Sequence, residues 1–208
     1  MGQARRKALL KIPSEPLRLD QVENVASAIR RLAVAASDRL GADCFVLSAL
    51  AQAVLVKQGV HTTLAAGFCA VRVGQADGSV IIHAPVPGMV PQPGALPFHC
   101  WLETETMILD VTTFTLPAKA KELDKLDGGH TDVVFAPDFL FASKKSVSSL
   151  RDTIQLDAGK YHYERQADVE AVVFAKAEPL DPEDVEAAWM LYQNRELEVI
   201  GPNDRNRY

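Results

Sequence analysis

The sequence predicts an α+β fold, in which a buried Cys-bearing helix packs on an antiparallel β-sheet with further helices at its flanks. Three features point there. Residues 20–40 carry apolar side chains at helical spacing, and residues 44–58 are apolar nearly all round. After Gly59 the chain turns to Val-, Thr- and Phe-rich runs broken by turn residues. A helix without a polar face has to be covered on every side, so the second segment belongs at the centre with the strands against it.

The elements follow in chain order. Residues 1–19, with Pro13 and Pro16, are expected to lie on the surface as an arm. From Asp20 to Leu40, Val22, Val25, Ala26, Ile29, Leu32, Ala33 and Ala36 form one helical stripe, with Asp20 as N-cap and Gly41 as stop. Cys44 to Gln58 follows Asp43, a capping residue, and stops at Gly59, which puts Cys44 in the first turn of the central helix. Val60–Val73 and Ser79–His83 read as strands around a turn at 75–78. Residues 84–97 hold Pro85, Pro87, Pro91, Pro93 and Pro97, which predicts a long loop with few ladder donors. Phe98–Glu103 and Thr106–Thr113 read as two strands with a tight connection, and residues 117–130 as a short helix and loop. Asp132–Phe135, Ser148–Leu156, Tyr161–Arg165 and Val169–Phe174 are expected as strands, while 137–150 fits either a short helix or an irregular insertion. Asp181–Pro182–Glu183 starts a last helix, running to about Val199. The organisation expected is one domain over 1–208, with a core at 20–113 and a C-terminal extension at 114–208.

Composition narrows the function classes. Hydrophobic residues make up 48% and charged residues 24%, as in an ordinary globular chain. The net charge of −5 argues against a phosphate-binding surface and hence against a nucleic-acid partner. No apolar run has the length of a membrane span, and the basic start lacks the apolar stretch of a secretory signal, so a cytoplasmic protein without membrane contact is expected. Three cysteines are too few and too odd in number for a disulfide framework. There is no glycine-rich phosphate loop, dinucleotide fingerprint, C-x-x-C or H-x-x-x-H spacing, so no metal or organic cofactor is expected.

The segment that carries chemistry is PFHCWLETETMILDVTT. If its two strands form a hairpin closing on Thr104–Glu105, His99 falls directly opposite Asp110, with Cβ atoms about 4.5 to 5.5 Å apart. Phe98, Cys100, Leu102, Met107, Leu109 and Val111 then make a wholly apolar face, while His99, Trp101, Glu103 and Asp110 share the other. A His held by an Asp needs a group to act on. Cys44 is the candidate, because a thiol in the first turn of a buried helix feels the positive end of the helix dipole, which favours thiolate. Cys69 and Cys100 are expected in the core. Trp101, as a wall beside His99, and His83, beside the proline-rich loop, are the candidates for substrate contact.

Gly41-Ala42-Asp43-Cys44, Gly59-Val60, Gly67-Phe68, His99-Cys100-Trp101-Leu102-Glu103 and Leu109-Asp110-Val111-Thr112, in this order, resemble the transglutaminase-like core of the papain-like cysteine enzymes. The resemblance spans roughly residues 40–113 and points to a bacterial branch of that group. It implies a papain/transglutaminase-like core in which Cys44 is nucleophile, His99 base and Asp110 the orienting acid. The chain departs from the pattern after Gly59, where His61 and Thr62 stand in place of the usual Arg. The function expected is thiol-dependent hydrolysis or acyl transfer at an amide or acyl carbonyl of a peptide, protein or small amide. The alternative is a catalytically inactive relative that binds a peptide or protein in the same cleft. The Cys44 N–H supplies one oxyanion donor, and Gln21 and Asn24 on the first helix are the candidates for a second. The sequence leaves the oligomeric state open.

Overall fold

The computed structural model describes residues 16–85 and 96–204. The expectations for the arm at 1–15, for 86–95 of the proline-rich loop and for the last four residues lie outside the described part.

The chain opens with α1 (Leu19–Ala36) and α2 (Cys44–Lys57). It continues through strands β1 (Thr63–Arg72), β2 (Val80–His83), β3 (His99–Glu103) and β4 (Met107–Asp110). Then come α3 (Leu116–Asp127), β5 (Leu140–Ser143), α4 (Leu150–Gln155), β6 (Tyr161–Arg165), α5 (Ala167–Lys176) and α6 (Pro182–Gln193). All strand pairs are antiparallel. The architecture is therefore α+β, with helices packed on an antiparallel sheet.

β1 organises the sheet. Gly67 is paired with both His99 of β3 and Arg165 of β6, and Cys69 with both His83 of β2 and Tyr163 of β6. A strand residue has one neighbour on each side. So β3 and β2 follow one another along one edge of β1, and β6 takes the other. This end-to-end arrangement brings His83 and His99 together, although the proline-rich segment separates them in sequence. Beyond β3 the ladder continues through β4 to β5.

One sheet face packs on α2, and α1, α2 and α6 pack on one another. Val25, Ile29, Leu50, Val54, Leu102, Leu109 and Val111 are buried together there. Ala66 and Cys100 of the same face meet Val169 and Val173 of α5. The other face buries Trp101, Ile108, Cys69 and Tyr163 against Leu116 and Ala120 of α3.

Several expectations need correction. Asp20 is not the N-cap of α1. Arg18 occupies that place, and its N–H donates to Gln21 Oε1 at 3.1 Å. The helix ends at Ala36, not at Leu40, because Ser37 turns to extended backbone. Helix α2 is not covered all round: Val46 and Val56 are nearly half exposed. Two segments expected as strands are helices. In α4, Ser149 Oγ accepts from Asp152 N–H, a cap that starts a helix. In α5, Val169 and Val173 lie one turn apart and are buried on the same side. Residues 132–135 join no strand ladder; the Val134 and Phe135 N–H groups both donate to Val73 O instead. The open segment 137–150 contains β5. Helix α6 stops at Gln193, short of Val199.

The β3–β4 register is also corrected. Its pairs are Leu102–Leu109 and Glu103–Ile108, offset by two residues from the expected ones. The turn closes on Glu105–Thr106, because Thr104 N–H donates to Met107 O and Met107 N–H to Thr104 Oγ1, both at 3.0 Å. Continued one step past its last pair, this register sets Asp110 across from Trp101, with His99 as its diagonal neighbour. An offset of two keeps every side chain on its expected face, since strand side chains alternate with period two.

Candidate active site

The site lies where β3 begins and β4 ends. Past the Leu102–Leu109 pair the two strands form no further ladder, and a small cleft of about 20 Å³, room for about one water molecule, sits at this border. Cys44, Cys69, His83, His99 and Asp110 all line it. The structure thus brings together the three residues expected to form a relay, and His83 with them.

Asp110 is 1% exposed, and its carboxylate accepts four hydrogen bonds. Oδ2 receives His99 Nε2 at 2.7 Å and the Tyr163 hydroxyl at 2.7 Å. Oδ1 receives the Thr112 N–H at 2.8 Å and Thr112 Oγ1 at 2.7 Å. Burial alone would raise the Asp110 pKa, but the His99 charge and these donors outweigh it and hold it at about 2. For His99, burial pulls the pKa down while the Asp110 carboxylate pulls it up. The carboxylate prevails, and His99 lies well above the ordinary 6.5. Because Nε2 is committed to Asp110, the ring nitrogen left for Cys44 is Nδ1. It is buried and has no hydrogen-bond partner among the described residues.

Cys44 comes from the other side of the sheet, at the start of α2. The loop before it is tied down: Asp43 accepts from Ser37 Oγ at 2.6 Å and from Gly41 N–H at 3.3 Å. Gly41 has φ +97°, a left-handed conformation that a side chain would strain. The Asp43 carboxylate thus faces back into the loop and caps no first-turn amide of α2. The Cys44 thiol is held well below its usual 9.0. The largest cause is a hydrogen bond from the Cys100 thiol; burial opposes it, and the hydrogen bond and charge of His99 assist. Cys100 is pushed upward, first by that same bond, and so stays a protonated donor. Burial likewise pushes Cys69 up to about 12. These shifts favour a thiolate, an imidazolium and a carboxylate in sequence.

His83 is the fourth cleft group. Its ring lies 5.1 Å from the His99 ring, centroid to centroid, at an interplanar angle of 29°. Burial, then the His99 charge, drive its pKa down to about 3, so it is a neutral imidazole.

Other expectations fare differently. Trp101 does not reach the cleft: it is fully buried, stacks on His99 at 6.4 Å and donates from Nε1 to Glu103 Oε1 at 2.9 Å. Its assignment to substrate contact is corrected to packing behind the imidazole. Neither Gln21 nor Asn24 borders the cleft, and Gln21 is spent on the start of α1. Cys100 is buried on the helix-facing side, as its alternation requires, but that is also the side from which Cys44 arrives. Sequence reasoning missed Tyr163, Cys100 and Cys69 as members of the site. The alternation in Tyr161–Arg165 was the available signal for Tyr163, but its partner strand β1 lies far away in sequence. Among the described residues no three His, Cys, Asp or Glu side chains are grouped as a metal ion would need.

No family model and no curated protein matches the chain. A solved structure described as "The crystal structure of genomics APC5867" is similar, with a TM-score of 0.55 and 16% identity over 85% of this chain and 79% of that one. At that identity the likeness is one of fold. No helix among the described residues is long and apolar enough to cross a membrane.

Proposed function

We propose that this chain is a thiol-dependent hydrolase or acyltransferase acting on an amide or acyl carbonyl, and that its sheet and α2 form a papain/transglutaminase-like core. The supporting observation is a single cleft in which a thiol at a helix start, pulled below its usual range, meets a buried His99–Asp110 pair bonded at 2.7 Å.

In this reading the Cys44 thiolate attacks the carbonyl carbon and the carbonyl π electrons move to oxygen. The Cys44 N–H donates to that oxyanion, being a first-turn amide without an intrahelical acceptor. Collapse of the intermediate breaks the bond to the leaving amine, which takes the Nδ1 proton of His99 and leaves a thioester. His99 then removes a proton from water or from an amine as its oxygen or nitrogen attacks the thioester carbonyl; the C–S bond breaks, releasing the acid (hydrolysis) or the new amide (transfer) and returning Cys44 to thiolate. Asp110 fixes the ring with Nε2–H toward itself throughout, so Nδ1 alone changes protonation. His83, neutral and at the cleft wall, contacts the substrate. The substrate is a peptide, a protein or a small amide.

The test is alkylation of Cys44 by iodoacetamide across pH, followed by mass spectrometry. The expected half-maximal rate lies well below the pH at which free cysteine reacts, and His99→Ala moves it upward and slows labelling at neutral pH. Slow labelling of equal rate in both proteins would overturn the enzyme reading and favour a binding module built on the same cleft.

A further inference from the structure

Asp110 Oδ2 serves two donors, and only one of them belongs to the proposed relay. The second is the Tyr163 hydroxyl, brought from β6 across the other edge of β1. Tyr163 is nearly buried, and its ring packs edge-on against Trp101 at 5.2 Å and tilted against His99 at 6.1 Å. Cys69 is the residue opposite it in the β1–β6 register. The two rings hold the phenol, and its hydroxyl donates its proton to the carboxylate.

We propose that Tyr163 is a positioning residue: by donating to Asp110 Oδ2 it fixes the carboxylate against His99 and limits how strongly that carboxylate holds the imidazolium proton. The inference rests on the reading of Cys44, His99 and Asp110 as a relay. A donor on Oδ2 draws negative charge toward itself and leaves less for Nε2–H. The ring then remains able to release its Nδ1 proton to a leaving amine instead of being locked as a permanent cation. The other groups facing His99 are Cys44 from α2, Cys69 from β1 and His83 from β2. None of them bonds Asp110. The C-terminal half of the chain thereby supplies a working part of a site whose other members all come from residues 44–112.

The experiment follows the His99 ring nitrogens by NMR through a pH titration of the whole protein. Tyr163→Phe is expected to raise the proton affinity of His99 roughly threefold to tenfold, in keeping with the strength of a bond to a carboxylate. A site-specifically incorporated fluorotyrosine at position 163, of similar shape but a more acidic donor, is expected to lower it. Opposite shifts from these two replacements are not produced by packing loss alone, and the second variant keeps the test open if the first folds poorly. An unchanged His99 midpoint in the fluorotyrosine protein, or shifts of the same sign in both, would overturn the proposal. The midpoint is read without substrate and without Cys44 reactivity. Failure of the enzyme reading in the alkylation test is therefore distinguishable from failure here.

Discussion

Cys44 is stabilised as a thiolate by neighbours of different kinds, and they can be separated by substitution. His99 supplies a charge and a hydrogen bond, whereas Cys100 supplies a hydrogen bond without charge and is the larger influence. Cys100→Ala removes that donor from a buried anion. A bond to a charged group is worth about 1.5–3 kcal/mol, so the midpoint of Cys44 alkylation should rise by about one pH unit or more. Cys100→Ser keeps a donor of similar reach and should leave the midpoint low. If Cys100→Ala alkylates with the wild-type pH profile, the Cys100 thiol has no part in activating Cys44.

At the scale of elements, the approach of β6 to β1 depends on a missing side chain. A Cβ at Gly67 would stand 2.1 Å from Glu164 O and 2.8 Å from Gln166 N, both backbone atoms that cannot swing aside. Gly67→Ala should therefore destabilise the protein by about 1–3 kcal/mol, as overpacking does, read as a lower urea midpoint. Because β6 carries Tyr163, the same variant should disturb the His99 titration as well. A Gly67→Ala protein with wild-type stability would mean that β6 does not lie where Gly67 admits it.

The whole molecule should record its two cleft histidines as opposing slopes of stability against pH. His83 has a folded pKa of about 3 against an ordinary 6.5. Between those values the unfolded chain binds a proton that the folded chain refuses, so stability falls on acidification, by at most about 1.4 kcal/mol per pH unit. His99 does the reverse. Its folded pKa is raised, so its contribution is complete below 6.5 and is lost as pH climbs through the folded value. Asp110, depressed from 3.8 to about 2, adds a further loss only below 3.8. Cys44, held below its usual 9.0, opposes His99: its contribution is complete above 9.0 and is lost as pH falls through the folded value, so the two offset each other. Against that background His83→Leu should reduce the acid slope between pH 6.5 and 3. An acid slope that survives His83→Leu intact would show that His83 is not the neutral imidazole described.

The sequence by itself determined the two leading helices, the faces of β3 and β4, and the identity of the Cys44, His99 and Asp110 cluster. These depend on local periodicity, on caps and on alternation, which a short stretch of chain carries within itself. The hairpin offset shows both sides of this. Alternation kept His99 and Asp110 on one face, but the bond that Thr104 Oγ1 accepts from the Met107 N–H, invisible in the residue types, decided where the turn closed. Helices α4 and α5 were misjudged because Val-rich runs suit strand and helix alike, and burial of Val169 with Val173 beneath the sheet chose between them. Only the tertiary structure decided that Cys100 touches the sulfur of Cys44, that His83 stacks on His99, and that Tyr163 completes the carboxylate. Each of these contacts joins residues remote in the chain, and their meeting depends on how β1 pairs its two edges.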